Sequence, residues 1–346
     1  MAKTDFTIAV LPGDGIGPEV MTQALLVLRA AEECLGGFRL QVETFSVGAG
    51  EYLRSGNPLP EATLHRAKEH DAILLGAMGL PNVRWPDGTE MTPQVDIREK
   101  LDLYQGVRPI ELLDGALTPL KGFAAGSIDM LILRENVEGL FWTRAKPHAR
   151  TPEFCEDVLH ISRAGSERLF RAAFRLAEGR RKKVTLVDKA NVLQSMAYFR
   201  EIFDSVAREF PNVESERVYV DAMALYMITR PDAYDVVVTE NMFGDILSDL
   251  AAGIIGGMGY APSADIGDRY AVFQPSHGTA PDIAGKGLAN PIAMILSAVL
   301  MLEWFATEAT LRAAQAIRSA VTRAVAGGLA GTEATGDSVV RHLGSR

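Results

Sequence analysis

Cysteine is nearly absent: Cys34 and Cys155 are the only two in 346 residues. That is too few to staple a chain of this length, and it gives no sign of an oxidising compartment. Long apolar runs are missing too. The longest, Ile292 to Leu302, has 11 residues before Glu303 closes it, against about 20 for a bilayer span. It predicts a buried helix and no membrane partner. The first residues carry no apolar segment with a small-residue cleavage site, so a cytoplasmic address is expected. Excess positive charge is also lacking. Lys plus Arg number 35 against 44 Asp plus Glu, a net charge of −9, which argues against a general nucleic-acid footprint and confines any anion site to a local pocket. Aromatics are only 7%, yet hydrophobic residues reach 47%, ample for a core and unlike a disordered chain. At about 150 residues per domain, the length predicts two domains or one large α/β unit.

Short β-branched runs alternate with helical patterns from end to end. Strands are predicted at 6–11, 71–75, 130–133, 183–187, 218–220 and 235–239, and helices at 19–34, 162–178, 192–209 and 307–325. The class is α/β with a largely parallel core. Polar residues gather just after the strands: PGDGIGP after Leu11, Arg134 after Leu133, Lys189 after Asp188, Asp221 after Val220, and Glu240-Asn241 after Thr239. In such sheets, ligands bind beyond the carboxyl ends of strands, so these are site candidates.

Each candidate has a chemical reading and a plainer one. Gly13-Asp14-Gly15-Ile16-Gly17-Pro18 offers Pro18 where a dinucleotide fingerprint wants its last glycine, so a tight turn feeding a helix is preferred. Asp245 and Asp249 are spaced i, i+4 on a predicted helix. With Asp221 they form a hard oxygen set suited to Mg²⁺ or Mn²⁺, although two carboxylates on a helix are often only solvated charge. Arg98, Arg108 and Arg134 offer planar forks for the carboxylates of a di- or tricarboxylate, or simply structural ion pairs. Lys189, beside a cation and arginines, is usable as a base; alone it reads as a surface lysine. The loop from His277 to Pro291 is rich in glycine and proline, as a loop hugging a ligand can be. Segment 141–161 lacks a clean period and reads as a solvated loop or as an arm exchanged with a second subunit.

Together LPGDGIGPEV, the three arginines, VDKANV, YVDAMA, FGDILSDL and HGTAPDIAGKGLANP resemble the β-decarboxylating dehydrogenases, the family of isopropylmalate, isocitrate, homoisocitrate and tartrate/D-malate dehydrogenases. The resemblance implies a two-domain α/β fold with a mainly parallel central sheet, distinct from a Rossmann fold. Residues 1–103 with 256–346 would form the cofactor-binding domain, and 104–255 the dimerisation and substrate domain, with an arm around 141–161 in place of the plain loop. It implies that Arg98, Arg108 and Arg134 hold the carboxylates of a small acid, with Thr92 and Gln94 nearby. Asp245 and Asp249, with Asp221 from the partner of a homodimer with shared active sites, would bind Mg²⁺ or Mn²⁺. Lys189, also from the partner, would help remove the C2 hydroxyl proton. His277, Gly278, Thr279, Ala280, Asp282, Ile283 and Asn290 would cradle the cofactor, and Asp282 would favour NAD by repelling a 2′-phosphate.

One departure stands out. Where relatives carry a tyrosine thought to protonate the enolate after decarboxylation, this chain has Phe141. The last proton would then come from water or another side chain such as Tyr104, or the chemistry differs. Thr92, Gln94 and Val95 favour a polar or small C3 substituent over an isopropyl group, which would leave an amide unpaired. The leading expectation is NAD- and metal-dependent oxidation, with decarboxylation, of a 3-substituted malate-type 2-hydroxy acid. The alternatives are a non-decarboxylating or non-catalytic paralogue, motivated by Phe141, and nucleic-acid binding.

Overall fold

The computed structural model describes residues 3–146, 149–328 and 330–344. Ten strands run in chain order: β1 (Asp5–Leu11), β2 (Arg39–Thr44), β3 (Ala72–Leu75), β4 (Gln105–Glu111), β5 (Asp129–Glu135), β6 (Lys183–Asp188), β7 (Glu214–Tyr219), β8 (Val236–Thr239), β9 (Pro262–Ile266) and β10 (Ala271–Pro275). The chain divides into two compact units, one of residues 1–101, 256–264 and 269–346, the other of 102–255 and 265–268.

In the first unit the strand order is β2-β1-β3-β10-β9, with β1 parallel to β2 and β3, and β3 parallel to β10. The apolar run becomes the helix Ile292–Phe305, buried on nearly every side, which explains its lack of a polar stripe. It packs on the helices Gly17–Leu35 and Glu308–Ala326 and on β10. Thr307 starts the latter helix with a capping box to Thr310, a pairing that satisfies otherwise orphaned N–H groups. Phe305 closes the core by stacking on Phe6, ring centroids 4.1 Å apart.

In the second unit the order is β4-β5-β8-β6-β7. All pairs are parallel except β4 with β5. The helices Arg163–Glu178 and Gln194–Ala207 pack through Phe170, Phe174, Phe199 and Phe203. The architecture is α/β with a mainly parallel sheet.

Several local expectations change. The strand expected at 218–220 lies at 214–219, and Val220 opens a helix reaching Thr229, so Asp221 sits in the first turn of a helix. β2, β4, β9 and β10 were not foreseen. Segment 141–161 is a solvated loop over residues 149–158, all exposed, with local order added at points along it. Leu140–Ala145 forms a 3₁₀ turn, bridges join Gly139 to His160 and Arg150 to Cys155, and Trp142 stacks on His160; residues 147 and 148 of this segment lie outside the described residues. No helix among the described residues is long and apolar enough to cross a membrane.

Candidate active site

Two of the arginines meet in the second unit. In the antiparallel pair, Gly106 faces Arg134 and Arg108 faces Ile132. Side chains alternate along a strand, so Arg108 and Arg134 project from the same face. Both are buried. The helix Asn241–Ile254 approaches this face through Gly244, where a Cβ would fall 2.7 Å from the Arg134 side chain. That approach lets Asn241 Oδ1 accept from Arg134 Nε at 3.0 Å and Nη2 at 2.7 Å. Asn241 Nδ2 in turn donates to the Glu138 carbonyl. Asp245, one turn on, forms an ion pair with Arg134.

Arg108 is held differently. Its Nη2 donates to Asp265 Oδ1 at 3.0 Å, and Asn136 Nδ2 donates to the same oxygen at 2.9 Å. Neither Asp265 nor the role of Asn136 stood out in the sequence. An aspartate in Pro-Ser-Ala-Asp-Ile-Gly-Asp reads as turn punctuation, and only the topology brings it to β4.

Asp249 lies one turn beyond Asp245 on the same helix. Its carboxyl is held above the usual carboxylate range, first by desolvation from surrounding protein and second by the negative charge of Asp245. Two like charges so placed suit an intervening cation. Asp221 is elsewhere in the unit: it is exposed and accepts from Lys189 Nζ at 2.6 Å, which holds its carboxyl below the usual range. Among the described residues no three His, Cys, Asp or Glu side chains converge on one metal position. The structure therefore pairs Asp245 with Asp249 and Lys189 with Asp221, but does not gather the three aspartates within one chain.

Phe141 lies against Arg134, whose Cζ is 5.3 Å from the ring centroid. Tyr104, considered as a substitute proton donor, is buried and gives its hydroxyl to Asp268 at 3.1 Å. Arg168 covers its ring at 4.2 Å, and burial raises its hydroxyl above the usual range. That hydroxyl is committed to Asp268.

In the first unit, Arg98, Thr92 and Gln94 belong to the helix Pro93–Lys100 and its N-cap. The Gln94 Oε1 atom is buried with no hydrogen-bond partner among the described residues. The PGDGIGP turn is a structural lock. Gly13 has φ +75°, and a Cβ there would lie 2.1 Å from the Ala77 carbonyl oxygen. Asp14 is buried, and its carboxylate accepts from the backbone N–H groups of Ala49, Gly50 and Gly79 at 2.7–2.8 Å.

The turn also holds the loop expected to cradle a cofactor, because Ile16 N donates to the Thr279 carbonyl at 2.9 Å. There, Ala280 adopts φ 39°, a strained left-handed conformation for a residue with a side chain. His277 Nδ1 faces the Gly278 carbonyl, and its Nε2 is buried without a partner among the described residues. Burial also lowers the His277 pKa, favouring the neutral ring. A Cβ on Gly278 would meet open space, and Asp282 is exposed. Asn290 is bound locally, its Oδ1 accepting from Ile292 N, and Ile283 is half-buried. Along this one loop an orphaned ring nitrogen, a bare glycine and an exposed carboxylate follow one another, and such acceptors suit a ligand with hydroxyl donors, as a ribose is.

The family model described as isocitrate/isopropylmalate dehydrogenase matches residues 7–341. The chain is 43% identical over 314 residues to a 3-isopropylmalate dehydrogenase of Aquifex aeolicus, covering 86% of this chain and 84% of that one. It is 42% identical over 332 residues to the Bacillus subtilis enzyme of the same name, covering 93% and 89%. Among solved structures, an isocitrate dehydrogenase from Methylococcus capsulatus superposes with a TM-score of 0.88 at 36% identity, covering 98% of this chain and 100% of that one. A β-decarboxylating dehydrogenase from Thermococcus kodakarensis gives 0.81 at 36% identity, covering 98% and 96%.

Proposed function

The chain belongs to the isocitrate/isopropylmalate dehydrogenase family, and from that membership we propose that it oxidises a 3-substituted malate-type 2-hydroxy acid with NAD and Mg²⁺ or Mn²⁺. Decarboxylation of the product follows in this reading. The observation that carries it is the pair of buried arginines on one face of β4 and β5, with Asp245 against the second of them. Arg108 and Arg134 hold carboxylate oxygens, and Arg98 is the third such ligand. Asp245 and Asp249 supply the oxygen donors for the cation, and the residues from His277 to Asn290 hold the cofactor. When bound, NAD supplies the hydride acceptor and the cation a Lewis acid for the C2 oxygen.

The remaining steps belong to side chains of this protein. Lys189 Nζ, paired with Asp221, takes the C2 hydroxyl proton once it has released its own ammonium proton to solvent and left that pair, so that its lone pair is free. Arg134, fixed by Asn241, keeps its carboxylate oriented while charge develops on the neighbouring oxygen. We assign Lys189 and Asp221 to the site of a second copy. Two observations support a homodimer: Asp221 is not gathered with Asp245 and Asp249, and Leu225, Ile228 and Ile246 expose apolar side chains on the packed helices Val220–Thr229 and Asn241–Ile254. The second reading, oxidation that stops short of decarboxylation, is favoured by Phe141 alone. Its ring cannot donate a proton, and Tyr104 is committed to Asp268.

The experiment is NADH formation with Mn²⁺ across 3-isopropylmalate, D-malate, tartrate, isocitrate and homoisocitrate, with CO₂ scored in the same samples. Matching NADH and CO₂ from one acid supports the full reaction. NADH without CO₂ selects the second reading, and no NADH from any acid overturns both.

A further inference from the structure

Arg108 and Arg134 share a face, but the protein treats their charges differently. Arg134 is bound by a neutral amide, Asn241, and by Asp245, whose side chain is 47% exposed and open to a competing cation. Arg108 is bound by Asp265, only 1% exposed. A buried carboxylate stripped of its cation is strongly destabilised, so Asp265 commits the charge of Arg108 whatever else that guanidinium touches. Asn136 reinforces the commitment. It follows Arg134 by two residues, and by donating to the same Oδ1 it ties Asp265 to β5 as well as β4. The carboxylate therefore bridges both arginine-bearing strands.

The consequence concerns ligand charge. Arg108 also donates through Nη1 to the Val107 carbonyl at 3.1 Å. It cannot cheaply neutralise an additional negative charge, because that charge would share the arginine with Asp265. We infer that Asp265 is a specificity-determining residue that restricts the site to acids whose C3 substituent is uncharged, and that rejects a third carboxylate. This rests on the acid-binding reading above and refines it from a di- or tricarboxylate to a dicarboxylate.

The test replaces the charge while keeping the shape. In Asp265→Asn the new amide oxygen can accept from Arg108. Its NH₂ can donate to Asn136 Oδ1, a buried acceptor that has no partner among the described residues, so the variant has a route to a satisfied core. Asp265→Ser serves as a second, smaller neutral variant, and thermal melts identify which variants are folded. Dissociation constants for D-malate and isocitrate are measured by calorimetry with Mn²⁺ on wild type and variants, alongside KM and kcat. The expected result is a shift of the D-malate to isocitrate affinity ratio toward isocitrate by about tenfold or more, with kcat on the dicarboxylate changing far less. An unchanged ratio in a folded neutral variant, or equal weakening of both acids, overturns the inference and leaves Asp265 a packing residue. Wild type that binds none of the five acids of the panel overturns the acid-binding reading, and the inference with it.

Discussion

The guanidinium of Arg134 lies over the ring of Phe141, 5.3 Å from its centroid. The side chain at which this sequence departs from the pattern it resembles is therefore in contact with a substrate-binding arginine of the proposed site. Its face supports the cation, while its edge presents only C–H groups.

Restoring the phenol should restore a proton source. Phe141→Tyr is expected to raise CO₂ release by about 100-fold if protonation of the enolate limits turnover, the usual scale of a positioned general acid. The steady-state rate of NADH and CO₂ formation, in wild type and variant, is the measurement. An unchanged rate would show that another donor already acts.

Asn241→Ala removes both bonds from Oδ1 to Arg134 and strands buried charged donors, a loss of about 1.5–3 kcal/mol for each bond to a charged group. KM for the acid should rise about tenfold or more, and kcat should move less. Asn241→Asp keeps the acceptor and should recover most of the loss. Equal melting temperatures for the two variants would separate this effect from unfolding.

Glu135 is fully buried beside Arg134 in sequence, and burial pushes its carboxyl up to about 8. Below about pH 4.5 the group is protonated both folded and unfolded, so its stabilising contribution is complete. Between about 4.5 and 8 the unfolded chain releases the proton while the folded chain retains it, and stability falls as pH rises. Urea midpoints at pH 5.5, 7 and 8.5 should therefore decline for wild type relative to Glu135→Gln. Parallel profiles would show that Glu135 titrates normally.

If the exposed apolar side chains of Leu225 and Ile246 are covered by a second copy, Leu225→Asp should split the assembly by placing a charge in a desolvated interface. Sedimentation equilibrium reads this directly. An Asp variant that keeps the wild-type mass would exclude that face as the interface.

What could be read from the sequence follows burial. β8 and the end of β1 are fully buried, so their Val- and Ile-rich runs stand out. β2 and β7 are largely exposed edge strands whose polar residues mask any period. β4 contains Gly106, Arg108 and Pro109, the composition of a loop, and becomes a strand only by pairing with β5. The same rule separates the site residues. Arg134 and Lys189 could be singled out as charges next to apolar strands. Asp265 could not, because its meaning depends on an arginine 157 positions away.

The lock at Asp14 sets a limit on how this chain can be addressed by nucleotides. Backbone amides converging before a short helix are a common landing place for phosphate. Here the amides of Ala49, Gly50 and Gly79 already hold a carboxylate attached to the same chain. A tethered ligand competes at the effective concentration of an intramolecular group, about millimolar or above. A free phosphate thus meets an occupied seat, and the glycine-rich turn serves to join segments of the fold through Asp14.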